Sequence, residues 1–505
     1  MKILLVYPRM PDTFYAMKHL LRMTGRKSVY PPLGLLTVAS LLPADWMKRL
    51  ADLNATSLKR EDLEWADFVF ISAMNVQEES VREIIELCRE AGARMVAGGP
   101  LFTHEHERFP GVDHFVLNEA EITLPLFLED LRKGELKPVY RTDGFAKITT
   151  SPLPSFDLVK TGDYLYSILQ YSRGCPWMCD FCDVTALYGR RHRIKSTAQV
   201  LAELDAINSQ GHVRSVLFAD DNLIGNKRVL KQELLPALID WRRRNRPAFM
   251  FATQLTIDLA DDDELIALML DAGFRQIFIG IETQDEATLK GSGKIQNLKR
   301  DQLANIHKLH RAGFYVAGGF IIGFDTDTPL IFQQQADFIQ QSGIPLPIVN
   351  LLKAPYGTEL YKRLEKEGRL KQRFAFSEGD TNIIPLMDEK ILNNGFLDLM
   401  DSIYLPRNSF QRLIVFFSTY RYPATTTRTP LKIEFHDLLM VLRAIFLVGI
   451  KDPHRKYFWK LLFRVARRNY KYLDMGLFYG VMIYQMHQTS LHIRKAVNQA
   501  ESKTH

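Results

Sequence analysis

Short apolar runs alternate with helical patterns along the first 140 residues. The runs that predict strands are Lys2–Tyr7, Phe68–Ser72, residues 94–97 and His114–Val116. Between the second and third runs, Glu78–Ala91 repeats its apolar residues at helical spacing, which predicts an amphipathic helix. Alternating β and α units favour a parallel, doubly wound sheet, so we expect a Rossmann-like domain over residues 1–140.

A second series of strand-like runs follows a predicted linker, residues 141–160, which contains the sequence Ser-Pro-Leu-Pro. These runs are residues 167–172, 215–219, 249–254, 276–281, 316–322 and 348–352. Helical patterns separate them, and two of these patterns cover residues 198–208 and 262–272. Six βα units predict a partial (β/α)6 barrel over residues 161–385, with its chemistry at the C-terminal ends of the strands.

After residue 385 the pattern becomes helical, aromatic and basic, which predicts a helical C-terminal domain over residues 386–505. The chain of 505 residues carries a net charge of +7. Residues 401–505 hold 17 Lys and Arg against 6 Asp and Glu, whereas the first 400 residues hold 48 against 52. The positive charge therefore belongs to the C-terminal segment.

Two interpretations fit this basic segment, whose aromatic and cationic residues concentrate at 416–422 and 455–468. Helices of this composition suit an anionic membrane surface, with rings in the interface and Lys and Arg near the headgroups. That interpretation places the protein peripherally at the inner face of a membrane. Alternatively, the helices form a cap on the barrel, and their cations extend to solvent.

The apolar segments predict neither a signal peptide nor a membrane span. Residues 1–8 form too short a run, residues 438–450 are interrupted by Arg443, and residues 475–486 fall short of the ~18–20 apolar residues that a spanning helix needs. Four cysteines are too few for a disulfide framework in a chain of this length. We therefore expect a cytoplasmic protein. The basic run at residues 189–195 is too short to indicate a nucleic-acid partner.

Three of the cysteines, Cys175, Cys179 and Cys182, follow the first predicted barrel strand with C-x3-C-x2-C spacing. Three thiolates on a tight loop can hold three irons of a [4Fe–4S] cubane, a cluster that usually takes four cysteines. The remaining iron would be open to a chelating molecule such as the methionine part of S-adenosylmethionine (SAM), whose sulfonium then lies beside a reducing cluster. The alternative is a structural zinc ion with His192 as fourth ligand. Cys88, on the apolar face of its helix, is predicted to be a core thiol.

The cysteine spacing resembles the signature of the radical SAM superfamily. The whole chain is similar to its cobalamin-binding subgroup, which contains the hopanoid C-2 methylases and the bacteriochlorophyll side-chain methyltransferases. The other stretches that carry the resemblance are residues 30–35, 97–100, 117–121 and 220–226 and the helical tail. The resemblance implies an enzyme with three cofactors, a [4Fe–4S] cluster, SAM and cobalamin. It also implies that the Rossmann-like domain binds cobalamin and that the barrel is a radical SAM barrel.

The resemblance further implies that SAM lies across the strand ends of the barrel. The residues expected to contact SAM are Asp220, Asp221, Asn222, Gln254, Glu282, Gly319 and Ile321. The adjacent acids after the second barrel strand suit the SAM ammonium, although Asp and Asn also cap helices. The Glu282 carboxylate suits ribose hydroxyls or the methionine group, and a plain salt bridge is the alternative. Glycine in the fifth strand lets adenine approach, or serves packing only.

For cobalamin, the resemblance implies contacts from Ser72, Met74, Gln77, Gly98, Gly99, Glu119 and Glu121. Glycines at the end of a strand allow a flat ring or a nucleotide tail to come close. Many cobalamin domains carry Asp-x-His-x-x-Gly, whose His ligates cobalt, but the comparable residues 52–57 contain no His. The lower cobalt face would then lack imidazole, and residues 75–77 would face the metal. The alternative is a domain that only packs or binds substrate. His104 and His106, just after the glycines, are expected to be solvated, and ligation is the alternative.

The reaction implied by the resemblance is methylation of an unactivated carbon in a hydrophobic substrate, either a hopanoid-like lipid or a tetrapyrrole. One SAM yields a 5′-deoxyadenosyl radical that removes hydrogen, methylcobalamin delivers the methyl group, and a second SAM remethylates cobalt. A reductant such as flavodoxin or ferredoxin is implied as a partner. Two alternatives stay open. One is a cyclase or rearrangement enzyme that uses cobalamin without methyl transfer, and the other is a non-catalytic, cluster-bearing sensor.

Overall fold

Two six-stranded parallel sheets form the framework of the protein. A computed structural model describes residues 1–211, 213–371, 379–423 and 435–504. The first sheet has the strand order β2-β1-β3-β4-β5-β6, and its strands are β1 Lys2–Tyr7, β2 Met47–Asp52, β3 Phe68–Ser72, β4 Met95–Gly98, β5 His114–Val116 and β6 Val139–Tyr140. Its helices are α1 Lys18–Thr24, α2 Leu33–Leu41, α3 Arg60–Trp65, α4 Glu78–Ala91, α5 Pro100–Glu105 and α6 Ala120–Lys133. The predicted doubly wound domain is confirmed.

The hydrophobic pattern does not predict two strands of this sheet, β2 and β6. Both lie at the edges of the sheet, and β2 exposes Met47 and Arg49 on one side. An edge strand is fixed by hydrogen bonds to a single neighbour and tolerates charged side chains, so it lacks the continuous apolar run of a central strand. Cys88 of α4 is fully buried in the apolar core of this domain, which confirms the prediction of a core thiol.

The second sheet is the predicted partial barrel, with six strands in the order β14-β13-β12-β11-β10-β7. These strands are β7 Ser167–Leu169, β10 Ser215–Phe218, β11 Met250–Leu255, β12 Phe274–Glu282, β13 Tyr315–Ile322 and β14 Leu346–Leu351. A short antiparallel pair, β8 Ser172–Arg173 and β9 Arg193–Ile194, follows β7. The helices of this part are α7 Val184–Tyr188, α8 Thr197–Ser209, α9 Lys227–Val229, α10 Leu235–Asn245, α11 Asp263–Ala272, α12 Glu286–Gly291, α13 Gln302–Ala312, α14 Leu330–Ser342 and α15 Glu359–Lys366.

The C-terminal part is helical, as predicted, and packs on the barrel. Its helices are α16 Glu389–Tyr404, α17 Pro406–Thr419, α18 Phe435–Ala444, α19 Arg455–Arg468 and α20 Leu473–Thr504. One apolar core contains barrel residues and the inner faces of these helices, and the Tyr404 hydroxyl donates to the Pro347 carbonyl oxygen of β14 at 2.9 Å. The cap interpretation therefore holds for the inner faces. No helix among the described residues is long and apolar enough to span a bilayer.

Candidate active site

The loop that carries the three cysteines lies between β8 and α7, beyond the C-terminal end of β7. Gly174 opens the loop with a φ of +86°, and a Cβ on this residue would lie 2.7 Å from the Arg191 carbonyl oxygen. Glycine alone fits such a position without strain. Cys179 is buried, Cys175 and Cys182 are partly exposed, and all three line one cavity.

The connection between α12 and α13 contacts this loop. The Asp180 amide donates to the Ser292 carbonyl oxygen at 2.9 Å. The Gln296 side chain donates to the Cys179 sulfur at 3.7 Å. Hydrogen bonds to a cluster sulfur are one means by which a protein sets the potential of an iron–sulfur cluster. Gln296, which carries no sequence signal, therefore belongs to the site.

A cavity of about 160 Å³ lies beside the cysteines at the C-terminal ends of the barrel strands. Besides the cysteines, its polar walls include Thr185, Asp221, Asn222, Gln254, Thr256, Glu282, Lys294 and Gln296. Three buried polar atoms in these walls have no hydrogen-bond partner in the described part of the chain: Asp221 Oδ2, Asn222 Nδ2 and Gln296 Oε1. Because buried polar groups are nearly always paired, these walls fit a polar ligand such as SAM.

Asp220 and Asp221 have different environments, although both were expected to contact SAM. The Asp220 carboxylate accepts from the Ser172 hydroxyl and from the Tyr171 amide, the latter at 3.2 Å. Asp221 lines the cavity, and burial, reinforced by the Asp220 charge, raises the pKa of Asp221 to about 7. Such a carboxyl ionises most readily when a cation binds beside it, which suits the SAM ammonium. A direct SAM contact from Asp220 stays a prediction.

Glu282 ends β12 and forms a buried ion pair with Lys294. The Lys294 ammonium lies 2.6 Å from the Glu282 carboxylate, and each side chain is about nine-tenths buried. Burial alone would lower the pKa of Lys294, but Glu282 and the nearby Cys179 thiol raise this pKa above its usual value. Glu282 also has a φ of +62°, a strained backbone that its surroundings must hold in place. Glu282 therefore forms the salt bridge that was the alternative to a SAM contact. Both residues of the pair also line the cavity.

Replacing Lys294 with methionine should lower the stability of the cofactor-free protein by about 3 kcal/mol, because it leaves the Glu282 carboxylate buried without a partner. The thermal unfolding midpoint measures this loss. The exposed neighbour Lys290 provides the control, and Lys290→Met should leave the midpoint unchanged. Adding Glu282→Gln to Lys294→Met should restore much of the midpoint. If Lys294→Met were as stable as the wild-type protein, the ion pair would not stabilise the fold.

Of the other residues expected to contact SAM, two line the cavity and two do not. Gln254 and Asn222 line the cavity. Gly319 lies behind the ring of Phe278, since a Cβ on Gly319 would be 3.0 Å from that ring. Ile321 packs in a separate small apolar cluster. Contacts of Gly319 and Ile321 with SAM stay predictions.

The glycine pair expected to contact cobalamin lies at the C-terminal end of β4, beside Ser72 at the end of β3. A Cβ on Gly98 would lie 2.6 Å from the Val116 carbonyl oxygen. A Cβ on Gly99, whose φ is +91°, would lie 2.8 Å from the Ser72 hydroxyl. The sheet itself therefore requires glycine at both positions, whatever ligand lies above them.

Two further residues expected at cobalamin, Met74 and Gln77, lie in the turn after β3. Met74 is exposed, and its amide donates to Gln77 Oε1 at 2.9 Å. Gln77 is buried, and its Nε2 donates to the Pro8 carbonyl oxygen at 2.6 Å. Both ends of the Gln77 side chain are thus engaged within the domain, and contacts with cobalamin stay predictions for both residues.

The prediction of a solvated His104 is wrong. His104 Nε2 is buried without a hydrogen-bond partner among the described residues, and burial lowers the pKa of this imidazole. Its ring centroid lies 5.9 Å from that of Tyr356, which follows β14 of the barrel. The contact joins the C-terminal edge of the first sheet to the C-terminal edge of the barrel. The sequence cannot show this, because the two residues are far apart in the chain.

Glu119 and Glu121 join the same two edges through a buried ion-pair network. Arg173, which immediately precedes the cysteine loop, lies 2.8 Å from each of these carboxylates. Arg193 lies 2.8 Å from Glu119. The sequence prediction placed both glutamates at cobalamin and missed their arginine partners. A cobalamin contact for either glutamate stays a prediction.

Comparisons with known proteins find three family models that match successive parts of the chain. The model described as B12 binding domain matches residues 21–128, the Radical SAM superfamily matches residues 169–339, and a domain of unknown function matches residues 358–499. The chain is 31% identical over 472 residues to the hopanoid C-2 methylase of Rhodopseudomonas palustris, which covers 92% of this chain and 89% of that protein. The chain belongs to the cobalamin-binding radical SAM family. Its cofactors are a [4Fe–4S] cluster, SAM and cobalamin, and the family decides against the zinc alternative.

Another relative and a solved structure extend these similarities. An uncharacterized methyltransferase of Synechocystis sp. is 36% identical over 474 residues, covering 93% of this chain and 88% of that protein. The cobalamin-dependent S-adenosylmethionine radical enzyme OxsB, solved with aqua-cobalamin and SAM bound, superposes with a TM-score of 0.61 at 16% identity. That superposition covers 99% of this chain and 81% of OxsB. It confirms the predicted α/β fold, and the methyltransferase relatives support an enzyme.

Proposed function

We propose that this protein methylates an unactivated carbon of a hydrophobic substrate with a methyl group carried by cobalamin. The observation that carries the proposal is the way the two sheets meet. Their C-terminal edges, where α/β proteins bind ligands, contact each other at His104–Tyr356 and at Arg173–Glu119. Transfer between two bound cofactors requires such an arrangement. When bound, the cluster and SAM supply a carbon radical, and cobalamin supplies the methyl group.

The protein's own residues bind and orient SAM in this proposal. The Asp221 carboxylate would hold the ammonium end through its unpaired Oδ2. The unpaired atom of Asn222 is the donor Nδ2, which would bond an acceptor of SAM such as its carboxylate. Lys294, the cation of the cavity wall, would attract the SAM carboxylate. Gln254 and Glu282 would hold ribose hydroxyls.

The substrate and partners follow from the relatives and from the cofactors. A relative that spans nearly the whole chain is named for methylation of a hopanoid, which favours a hopanoid-like lipid over a tetrapyrrole. Such a substrate resides in membranes, so peripheral contact with a membrane is part of the proposal. The cluster needs one-electron reduction, for which a flavodoxin or ferredoxin is the proposed donor.

Methylation of bound cobalamin by SAM tests the function without knowledge of the substrate. Anaerobically reconstituted protein, loaded with cobalamin and reduced, should convert SAM to S-adenosylhomocysteine, one per bound cobalamin. The optical spectrum should change to that of methylcobalamin. A cyclase or rearrangement enzyme should give 5′-deoxyadenosine and leave the cobalt unmethylated, which would overturn the proposal. Failure to bind any corrinoid, or to cleave SAM by either route, would overturn it too.

A further inference from the structure

The outer face of the C-terminal helices exposes large apolar side chains that the core does not use. They lie on α18, on the π-helical segment Ile445–Lys451 that continues it, and on α19, and they are Leu438, Leu442, Phe446, Ile450, Trp459 and Phe463. Phe463 is 69% exposed and Ile450 is 56% exposed. The core is formed by the opposite face, which buries Val448, Phe458 and Leu461. Exposed apolar patches of this kind mark interaction sites.

These side chains form one continuous surface, which we name the outer apolar face. The first four recur every four residues, which places them on one side of a helix. The indole nitrogen of Trp459 donates to the Gly449 carbonyl oxygen at 2.8 Å, so α19 lies directly against the π-helical segment. Gly449 permits this approach, since a Cβ there would lie 3.0 Å from the indole ring.

The segment that forms the outer apolar face is rich in cations and poor in acids. Residues 438–473 hold nine Lys and Arg and a single acid, Asp452, which is buried. The nine cations are Arg443, Lys451, Arg455, Lys456, Lys460, Arg464, Arg467, Arg468 and Lys471. In the described part of the chain, no ion pair joins any of them to a carboxylate. Lys451 lies 4.8 Å above the Phe446 ring, so charge and apolar surface are interleaved.

We infer that the outer apolar face docks the protein on an anionic phospholipid bilayer. Aliphatic and aromatic side chains, Trp459 among them, would enter the interface, and the cations would lie at the headgroups. The charge pattern selects lipid, because residues 438–473 carry nine cations and no exposed acid, which matches a uniformly negative plane. A protein partner would normally be met by mixed charges and a polar rim. The inference deepens the proposed membrane contact and rests on the proposed function only for its purpose, access to a hydrophobic substrate.

Vesicle co-sedimentation of the full-length holoprotein tests the docking. Vesicles of phosphatidylcholine and phosphatidylglycerol in equal parts should bind at least ~tenfold more tightly than pure phosphatidylcholine, and salt should weaken that binding. The double variant Lys456→Glu/Arg464→Glu should lose at least ~tenfold in affinity. Arg243→Glu/Arg244→Glu, which makes the same charge change on the exposed side of α10, should bind like the wild-type protein.

The apolar part needs its own variant, Phe446→Ser/Phe463→Ser. Because both rings are exposed, the variant should fold with an unchanged thermal midpoint, and it should bind anionic vesicles more weakly. Its methylation of bound cobalamin in vesicle-free buffer should be unchanged, so failure of the docking is distinguishable from failure of the proposed function. Equal affinity for both kinds of vesicle, or equal binding by all variants, would overturn the docking. A wild-type protein that dimerises through this face instead of binding vesicles would also overturn it.

Discussion

Replacing Cys179 with alanine is expected to abolish SAM cleavage, whereas the same replacement at Cys88 is expected to preserve it. Cys179 is one of three thiols on the loop beside the cavity, and a cubane left with two thiolates has too few protein ligands. Cys88 lies in the core of the first domain, away from that loop, and is fully buried among apolar side chains. Its replacement should cost about 1 kcal/mol in stability and leave the site intact.

Iron and sulfide content, the visible absorption of the cluster and 5′-deoxyadenosine formation distinguish the two variants. Cys179→Ala should lack all three, while Cys88→Ala should keep them at the wild-type level. Cobalamin binding should survive in both, because the first domain has its own sheet and its own core. If Cys88→Ala lost the cluster while Cys179→Ala kept it, the assignment of the three clustered cysteines as ligands would be wrong.

The fold and the cluster ligands are predictable from sequence because their signals are local. A buried parallel strand is a continuous apolar run, and the three ligands share one loop of eight residues. Lys294, Gln296 and Arg193 have no such signal. Each acts on a partner that the fold brings close from elsewhere in the chain, as Arg193 does with Glu119. Spacing along the sequence does not record such pairs.

Asp220 and Asp221 show a second limit of sequence reasoning. Both acids follow the end of β10, where the backbone no longer has the regular alternation of a strand, so the sequence does not fix the direction of either side chain. The two adjacent acids indicate that a carboxylate is needed at this strand end. They do not indicate which of the two carboxylates lines the cavity. The structure places Asp221 in the cavity wall and engages Asp220 with Ser172. Without the register of β10 against β7, both assignments were equally good.

The basic C-terminal helices fit both interpretations of their sequence, a cap on the barrel and a membrane-binding surface. Its helices bury one face against the barrel, as a cap does, and expose Phe463 and Ile450 on the other. Composition sums over both faces of a helix, so it favoured neither interpretation. Only the exposure of individual side chains separates the face that stabilises the fold from the face that is free for docking.

Replacing Arg173 with methionine should destabilise the contact between the two domains by about 3–5 kcal/mol. The change leaves two buried carboxylates, Glu119 and Glu121, without their shared guanidinium. Glu119 keeps Arg193, whereas Glu121 loses its cation and keeps neutral donors such as the Ser151 hydroxyl at 2.7 Å. Thermal unfolding of the cofactor-free protein measures the loss. Arg82→Met removes an exposed arginine that pairs with Glu78 at 2.7 Å, and this control should cost about 0–1 kcal/mol.

The pH dependence of the Arg173→Met effect separates an electrostatic cause from lost packing. Burial alone would raise the pKa of Glu121, but the Arg173 guanidinium lowers this pKa from 4.5 to about 2. A carboxyl with a lowered pKa contributes stability that is present above its unfolded value and lost as the pH falls through its folded value. The difference between wild type and variant should therefore be largest above about pH 4.5 and shrink toward about pH 2. A difference that stays constant over this range would mean that Arg173 acts through packing, and the network would then not be what holds the two ligand-binding edges together.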